Sequence, residues 1–541
     1  MAAPNDVDVL VLGSGGAALC AALVPAQAGL RVRVLERTEY LGGTTAVSAG
    51  MLWVPNNHHM PEAQIADSRD ESVQYVSRIA GAQTTPDLVE AFVDEGPAMV
   101  RWLESSTAVR LYPIDRPDYH SEFPGAKEGA RALDNQPIDA DALGDSAKLI
   151  RPSHWYPEPY TYDERRRGLA TKALIEDRLE KNIWCFGRAL VGGLVKACLD
   201  TGVEFCTGQR AVRLVKEDGH IIGVVAQSEG GVETSYRALR AVVIGTGGFE
   251  WNDELKNNFL RGPDLGPMSP PYNEGDGLIM GLDAGAAIRN MNGAAYHIAF
   301  QIPGEVIDGR RRTRFISGER ALPGSIIVNR AGRRIVNEAS SYSDMAAAFQ
   351  VFDPDSYGYP NLTSYMVLDE RFRRSYVVAT LKPDQEQTPE WVSVGADLKE
   401  LAGKAGIDAA GLEAEVARFN QFASGGVDED FHRGETRHDR HYGDVKHTPN
   451  PCLGPLSEAP FYAIPVIVGT LGTRGGLRTN THGRVLDNFG EVIGGLYCCS
   501  NAMAAATGGG YPGAGGTLGP NLTFGYVAGK DIAETTARTP A

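Results

Sequence analysis

The apolar positions of the chain fall first into a short run, Val7-Asp8-Val9-Leu10-Val11-Leu12, then into a helical pattern ending at Gly29, then into a second strand over 31–35 closed by Glu36. Short runs that are apolar on both faces read as buried parallel strands, so this start predicts a βαβ unit. Ala241-Val242-Val243-Ile244 is a further buried strand, ending in Gly245-Thr246-Gly247-Gly248, and Gly495-Leu496-Tyr497-Cys498-Cys499-Ser500-Asn501 is another late in the chain. Gly275-Asp276-Gly277 and the helix to Ala284 continue the same style, and from about Ala294 the pattern changes. There 325–338 reads as two strands joined by an Ala331-Gly332 turn. Residues 398–424 read as a helix, with Leu401, Ala405, Leu412, Val416 and Phe419 roughly in helical period. The pattern predicts an α/β protein, a Rossmann-like nucleotide-binding domain (1–293 and 464–541) split by an inserted α+β capping domain (294–463).

Length agrees, since 541 residues exceed what one simple core holds. A hydrophobic fraction of 43% with 22% charged is ordinary for a globular protein, and a net charge of −16 argues against nucleic acid and against a polybasic membrane patch. The seven cysteines show no C-x-x-C or Cys/His spacing, so reduced thiols in a cytoplasmic protein are expected. Met1-Ala2-Ala3-Pro4-Asn5-Asp6 has no basic n-region, and no signal peptide is expected. The most apolar window, 9–30, is interrupted by Gly13, Ser14, Gly15, Gly16 and Pro25; no transmembrane helix is expected, and peripheral membrane contact is left open.

Two stretches carry chemistry. Gly13-Ser14-Gly15-Gly16-Ala17-Ala18 is a G-x-G-x-x-A dinucleotide fingerprint, with a strand before it, a helix after it and Glu36 at the spacing of roughly 20 residues that a ribose-binding acid requires. The second is Thr507-Gly508-Gly509-Gly510-Tyr511-Pro512-Gly513-Ala514-Gly515-Gly516-Thr517-Leu518-Gly519-Pro520, followed by a helix from Asn521. So much glycine is costly unless the backbone turns sharply or approaches something closely. A helix start behind it offers N–H groups and a positive dipole end to developing negative charge. Leu41-Gly42-Gly43-Thr44-Thr45-Ala46-Val47-Ser48-Ala49-Gly50 adds small residues against which a long cofactor lies flat.

With the 245–248 and 495–501 segments, these stretches resemble the FAD scaffold of the fumarate reductases and their relatives. The cofactor residues read from it are Gly13, Gly15, Gly16, Ala17, Ala18, Glu36, Arg37, Gly42, Gly43, Thr44, Thr45, Ser48, Ala49, Gly50, Gly247, Gly248, Asn501, Gly515, Thr517 and Leu518. Where the succinate dehydrogenase branch carries a histidine for covalent flavin, this chain has Thr44-Thr45, so the resemblance implies noncovalent FAD. A fumarate reductase would need cations to grip two carboxylates, and Tyr511 stands where that branch has an arginine.

Gly42-Gly43-Thr44-Thr45-Ala46-Val47-Ser48 with Trp53-Val54-Pro55-Asn56-Asn57, Val336-Asn337-Glu338 with Tyr342, Gly472-Thr473-Arg474-Gly475-Gly476-Leu477, and Tyr511-Pro512-Gly513-Ala514-Gly515 closely resemble the 3-ketosteroid Δ1-dehydrogenases. The resemblance implies desaturation of a 3-ketosteroid, with an electron acceptor that the sequence does not identify; an oxocyclohexane carboxylate is the alternative substrate. Such chemistry needs a polarised carbonyl, a base for the α proton and an acceptor for the β hydride. The Tyr511 hydroxyl and the Gly515 N–H can polarise the oxygen. By resemblance Tyr342 is the base and Tyr119, within Arg116-Pro117-Asp118-Tyr119-His120, assists it. Arg474 reads as structural or flavin-facing. The charged, aromatic stretch 133–188 is expected to be a solvated surface excursion, its other reading being a lid or apolar docking face. His432, His438, His441 and His447 read as solvated loop residues, and no metal site is expected.

Overall fold

The computed structural model describes residues 6–536, so the N-terminal stretch read for a signal lies, apart from Asp6, outside the described residues. The main sheet runs in the order Arg484–Leu486, Val492–Cys498, Glu233–Ile244, Asp6–Leu12, Val32–Leu35, Glu204–Cys206. Asp6–Leu12 lies inside it, parallel to both neighbours. Covered on both faces, its Val9, Leu10, Val11 and Leu12 are all fully buried, which is why the run is continuous rather than alternating. Val492–Cys498 pairs parallel with 242–244, so the end of the chain completes the sheet that the start begins.

The helix Gly16–Gln27 packs against the C-terminal helix Leu518–Glu534 through small residues. A Cβ on Gly525 would stand 2.2 Å from the Ala17 carbonyl oxygen, and one on Gly529 2.8 Å from Val24 Cβ. This close crossing brings the two helix N-termini to one side of the sheet. The C-terminal helix begins at Leu518, three residues before the expected Asn521. Pro520 costs nothing there, because the first-turn N–H groups of a helix have no intrahelical partner.

The inserted unit is an antiparallel sheet in the order Arg314–Phe315, Ala294–Phe300, Phe461–Thr473, Ser364–Asp369, Ser325–Asn329. The expected boundary after residue 463 falls inside Phe461–Thr473, whose Gly472 and Thr473 still pair with Ala295 and Ala294. Two expectations are corrected. The helix expected over 398–424 is two, Leu398–Ala405 and Ala409–Gly425, parted at Gly406, whose left-handed φ of +70° ends the first while Asp408 caps the second. Of the two strands expected over 325–338, only Ser325–Asn329 forms; beyond the turn a single bridge joins Val328 to Arg334.

The second strand gives way because its charges turn inward. Arg334 holds Glu338 at 2.7 Å and Asp428 at 2.8 Å, Arg433 reaches Glu338 at 3.1 Å, and these side chains are fully enclosed. Glu338 Oε1 also accepts the Ile327 N–H at 3.0 Å. Burial opposes the charge on Glu338, but Arg334 and Arg433 outweigh it and hold the carboxyl below its usual range. Four residues later Tyr342 opens the helix Tyr342–Phe349, so this cluster anchors the segment that presents it. Glu338→Ala would leave two buried guanidinium groups underpaired. It is expected to cost about 3–5 kcal/mol of stability, read from the denaturant midpoint; a loss near zero would show that the cluster is not what holds this segment.

Candidate active site

Both helix N-termini open onto one cavity of about 1140 Å³. At its base Gly13 has φ +93°, and a Cβ there would lie 2.6 Å from the Gly245 carbonyl oxygen, so only glycine lets the two strand ends come together. The Gly16 N–H donates to Thr45 Oγ1 at 3.0 Å, tying the fingerprint to the 41–50 stretch. Glu36 is buried and held in place: its Oε2 accepts from Ser14 Oγ at 2.6 Å and its Oε1 from the Thr38 N–H at 2.9 Å. Ser14 Oγ in turn accepts from the Gly42 N–H at 3.0 Å. Sequence reading passed over Ser14, although it stands at a variable position inside the fingerprint.

The cavity wall takes in Gly13, Gly15, Gly16, Ala17, Glu36 and Arg37 at one end, then Gly43, Thr44, Thr45, Ser48, Ala49 and Gly50. Gly247, Asn501, Gly515, Thr517 and Leu518 complete the expected set, with Thr246 and Asn273 added by the structure. Ala18, Gly42 and Gly248 stand behind the wall. A Cβ on Gly245 would meet Ala18 Cβ at 2.7 Å, one on Gly42 would meet Ala46 Cβ at 2.7 Å, and one on Gly248 would meet Thr473 Oγ1 at 2.2 Å, so these residues set close packing beneath the surface. Arg37 is taken up by Glu274 at 2.9 Å and Asp276 at 3.3 Å. A long cradle with two helix N-termini and an acid at its far end fits a dinucleotide.

At the other end three tyrosines from distant segments converge. Ring centroids are 5.3 Å apart for Tyr119 and Tyr342, 5.4 Å for Tyr342 and Tyr511, and 5.8 Å for Tyr119 and Tyr511, the last pair nearly parallel at 16°. Gly515, with φ +92°, lines the cavity beside them. Tyr511 belongs to the glycine-rich loop, which Arg474 fastens by donating from Nε to the Gly508 carbonyl at 2.8 Å and from Nη2 to Thr507 Oγ1, its guanidinium 5.5 Å from the Tyr511 ring. Arg474 is therefore structural.

Tyr119 is positioned through the residue before it. Asp118 accepts from Trp53 Nε1 at 2.7 Å and from Arg131 Nη1 at 2.8 Å, while the Tyr119 N–H donates to the Pro512 carbonyl at 3.1 Å. The Trp53 and Tyr511 stretches, read separately in sequence, thus meet at Tyr119. Tyr342 stacks on His297 at 4.1 Å and 12°. His120 binds Asp344 at 2.9 Å and so couples the Tyr119 and Tyr342 segments. Burial opposes charge on His120, but Asp344 and Glu122 outweigh it and raise its pKa to about 9, so the pair is intact at neutral pH and loses its positive partner as pH climbs through that value.

Burial also raises Tyr342 well above the ordinary tyrosine range, and Tyr119 and Tyr511 add to the effect. Tyr119 is raised by burial too, with Arg116 acting against it. Arg116 Nη2 lies 3.2 Å from the Tyr119 hydroxyl.

The stretch 133–188 is not the surface excursion expected of it. Trp155, Tyr156, Tyr160, Tyr162 and Phe186 line the cavity, and Tyr156 packs on Phe186 at 4.5 Å. These aromatics line the cavity together with Arg151, Arg165 and Arg166 of the same stretch, so the docking-face reading is the one the packing supports. The histidines expected in solvent divide. His432 is exposed, but His438 is 1% exposed against the Tyr119 ring at 4.8 Å, and His441 lines the cavity with its Nε2 3.0 Å from the Tyr162 hydroxyl. Away from the cavity, His58 and His59 share the Glu104 carboxylate at 2.9 and 3.1 Å.

A family model described as an FAD binding domain matches residues 8–518. The 4-oxocyclohexanecarboxylate 2-dehydrogenase of Sinomonas cyclohexanicum is 40% identical, the alignment covering 98% of this chain and 93% of that protein. The 3-oxosteroid 1-dehydrogenase of Mycolicibacterium smegmatis is 34% identical, with 98% of each covered. Among solved structures, a 3-ketosteroid Δ1-dehydrogenase from Sterolibacterium denitrificans in complex with 1,4-androstadiene-3,17-dione superposes with a TM-score of 0.92, at 34% identity over 98% of this chain and 99% of that one. The cofactor of the cradle is FAD. Glu36→Ala is expected to lower FAD retention after gel filtration, read from flavin absorbance per protein; full occupancy with unchanged affinity would remove Glu36 from the ribose.

Proposed function

The chain belongs to the 3-ketosteroid Δ1-dehydrogenase family of FAD-binding enzymes, and from that premise we propose that it desaturates the carbon–carbon bond beside a ring ketone, as in the 1,2-desaturation of a 3-ketosteroid. The observation that carries this reading is the meeting of Tyr119, Tyr342, Tyr511 and Gly515 at one end of the FAD cradle. A packing role for the tyrosines accounts poorly for three hydroxyl-bearing rings turned toward a single cavity.

In this mechanism the substrate carbonyl accepts from the Tyr511 hydroxyl and the Gly515 N–H. Donors fixed in a water-poor site stabilise the enolate-like charge that develops on that oxygen without reorganising. Tyr342, as its phenolate, takes the α proton and becomes neutral as the charge passes to the enolate oxygen, and Tyr119 assists by hydrogen-bonding to that phenolate before the transfer. FAD, when bound, supplies the acceptor for the β hydride, and the double bond forms between the two carbons. The N-terminus of Leu518–Glu534 turns its positive dipole end toward the same cavity and favours negative charge there.

A second substrate, an oxocyclohexane carboxylate, is favoured by one feature: Arg165 and Arg312, which have no carboxylate partner among the described residues, line the cavity beside its aromatic rings. A wall made only for a hydrocarbon skeleton has no use for that charge.

Tyr342→Phe is expected to lower kcat by about 10² or more while FAD binding and ligand binding persist; near-native turnover would move the base to Tyr119. Because the Tyr342 pKa lies above its ordinary value, the phenolate is scarce at neutral pH and grows as pH rises, so wild-type log kcat is expected to climb with pH. Tyr511→Phe keeps the ring and removes the donor. It is expected to cost about 10²–10³ in kcat and to slow solvent exchange of the α hydrogen equally, and normal exchange alongside slow turnover would assign Tyr511 to positioning instead.

A further inference from the structure

Arg116 lies deep in the fold yet stays half-buried, because its open side faces the cavity. Its Nη2 donates to the hydroxyls of Tyr119, at 3.2 Å, and Tyr442; its Nη1 lies 3.6 Å from Met51 Sδ; its Nε has no partner. Among the described residues no carboxylate pairs with it. The rings of Tyr162, Tyr442 and Tyr119 enclose the guanidinium at 4.9, 5.4 and 5.7 Å from their centroids. Of the other cavity arginines, Arg314 holds Glu305 at 2.6 Å, Arg151 is 3.3 Å from Asp308 and Arg166 is 3.7 Å from Asp115, while Arg165 and Arg312 donate to the Tyr160 hydroxyl at 3.3 Å and the His154 carbonyl at 2.8 Å. Of these, Arg116 is the one that touches a tyrosine of the reacting site.

A guanidinium in such a place has donor capacity to spare and no countercharge. Its field is felt nearby. Burial, with Arg166 and then Arg116, lowers His441 to about 2, and burial, with Arg320 and then Arg116, holds His438 well below its usual value, so neither histidine adds or cancels charge near neutral pH. A neutral steroid seated against Arg116 would take water from the cation and return nothing, which is costly. A carboxylate would return a charge-assisted hydrogen bond, the strong kind that arginine geometry favours.

We propose that Arg116 anchors a carboxylate of the substrate, so that this chain prefers a keto acid built on a single six-membered ring, ketone at Tyr511 and carboxylate at Arg116, over a neutral steroid. This rests on the desaturase reading above and chooses between its two substrates.

The test uses the FAD-loaded enzyme with an artificial electron acceptor and three ketones: 4-oxocyclohexanecarboxylate, its methyl ester and androst-4-ene-3,17-dione. The acid is expected to exceed the ester in kcat/KM by about 10- to 100-fold, the worth of one hydrogen bond to a charged group. Arg116→Gln is expected to collapse that acid-to-ester ratio, chiefly through the KM for the acid, and Arg116→Lys to restore part of it. Equal use of acid and ester, or a preference for the steroid, overturns the carboxylate anchor and leaves the desaturase standing. An acid-to-ester ratio of kcat/KM left unchanged in Arg116→Gln, with kcat falling equally for both, also overturns it and leaves Arg116 acting only on the ionisation of Tyr119. No turnover of any of the three overturns both readings. The wild-type comparison of acid with ester decides the matter even where the variants fail to fold.

Discussion

The site depends on how closely the backbone of residues 508–519 is packed. A Cβ on Gly508 would lie 2.4 Å from the Ala80 carbonyl oxygen, one on Gly510 2.3 Å from that of Ile79, one on Gly513 2.5 Å from the Trp53 ring, and one on Gly519 1.9 Å from the Trp53 carbonyl oxygen. The loop is pressed between the helix Arg69–Ala80 and the strand Leu52–Trp53, with no room for side chains at these points. Tyr511 is the large side chain in that run, and its place follows from the compression of the backbone on either side. The same loop offers the Pro512 carbonyl to both the Tyr119 N–H and the Tyr75 hydroxyl, at 3.1 and 2.7 Å, so the position of Tyr511 is tied to that of Tyr119.

The convergence has an electrostatic consequence. Tyr342 and Tyr119 resist ionisation, chiefly through burial and further through neighbouring phenols. That works against the role of base proposed for Tyr342. The balance is met by where charge enters: Arg116 acts on Tyr119, and the C-terminal helix start faces the cavity from the cofactor side. The buried Glu338 cluster and the His120–Asp344 pair hold the Tyr342 segment against the other two without placing a fixed carboxylate on the tyrosine hydroxyls.

Much of the nucleotide-binding half was legible because its requirements are local. A continuous apolar strand, a left-handed glycine at Gly13 and an acid at Glu36 are each coded within a few residues of where they act. The break at Gly406 was missed, because helical periodicity on both sides hid the glycine that ends one helix and the aspartate two residues later that caps the next. The strand lost beyond Ala331 was not legible, because the partners that turn Arg334 and Glu338 inward, Asp428 and Arg433, lie far along the chain. The same holds for 133–188, where Trp155, Tyr156, Tyr160 and Tyr162 precede Arg165-Arg166-Arg167 in a charged run that reads as surface until an enclosing wall is built around it.

By itself, then, the sequence determined the backbone shapes that glycine, proline and apolar periodicity dictate: the cofactor cradle, the split of its domain and the tight loop carrying Tyr511. Only the tertiary structure decided which side chains share a cavity. Tyr119, Tyr342 and Tyr511 belong to three segments whose distances depend on sheet pairing and on the close crossing of Gly16–Gln27 with Leu518–Glu534. Arg116 has no local signature at all. What sets it apart is that no carboxylate pairs with it among the described residues, and that is a property of the space the whole fold encloses rather than of any neighbourhood in the chain.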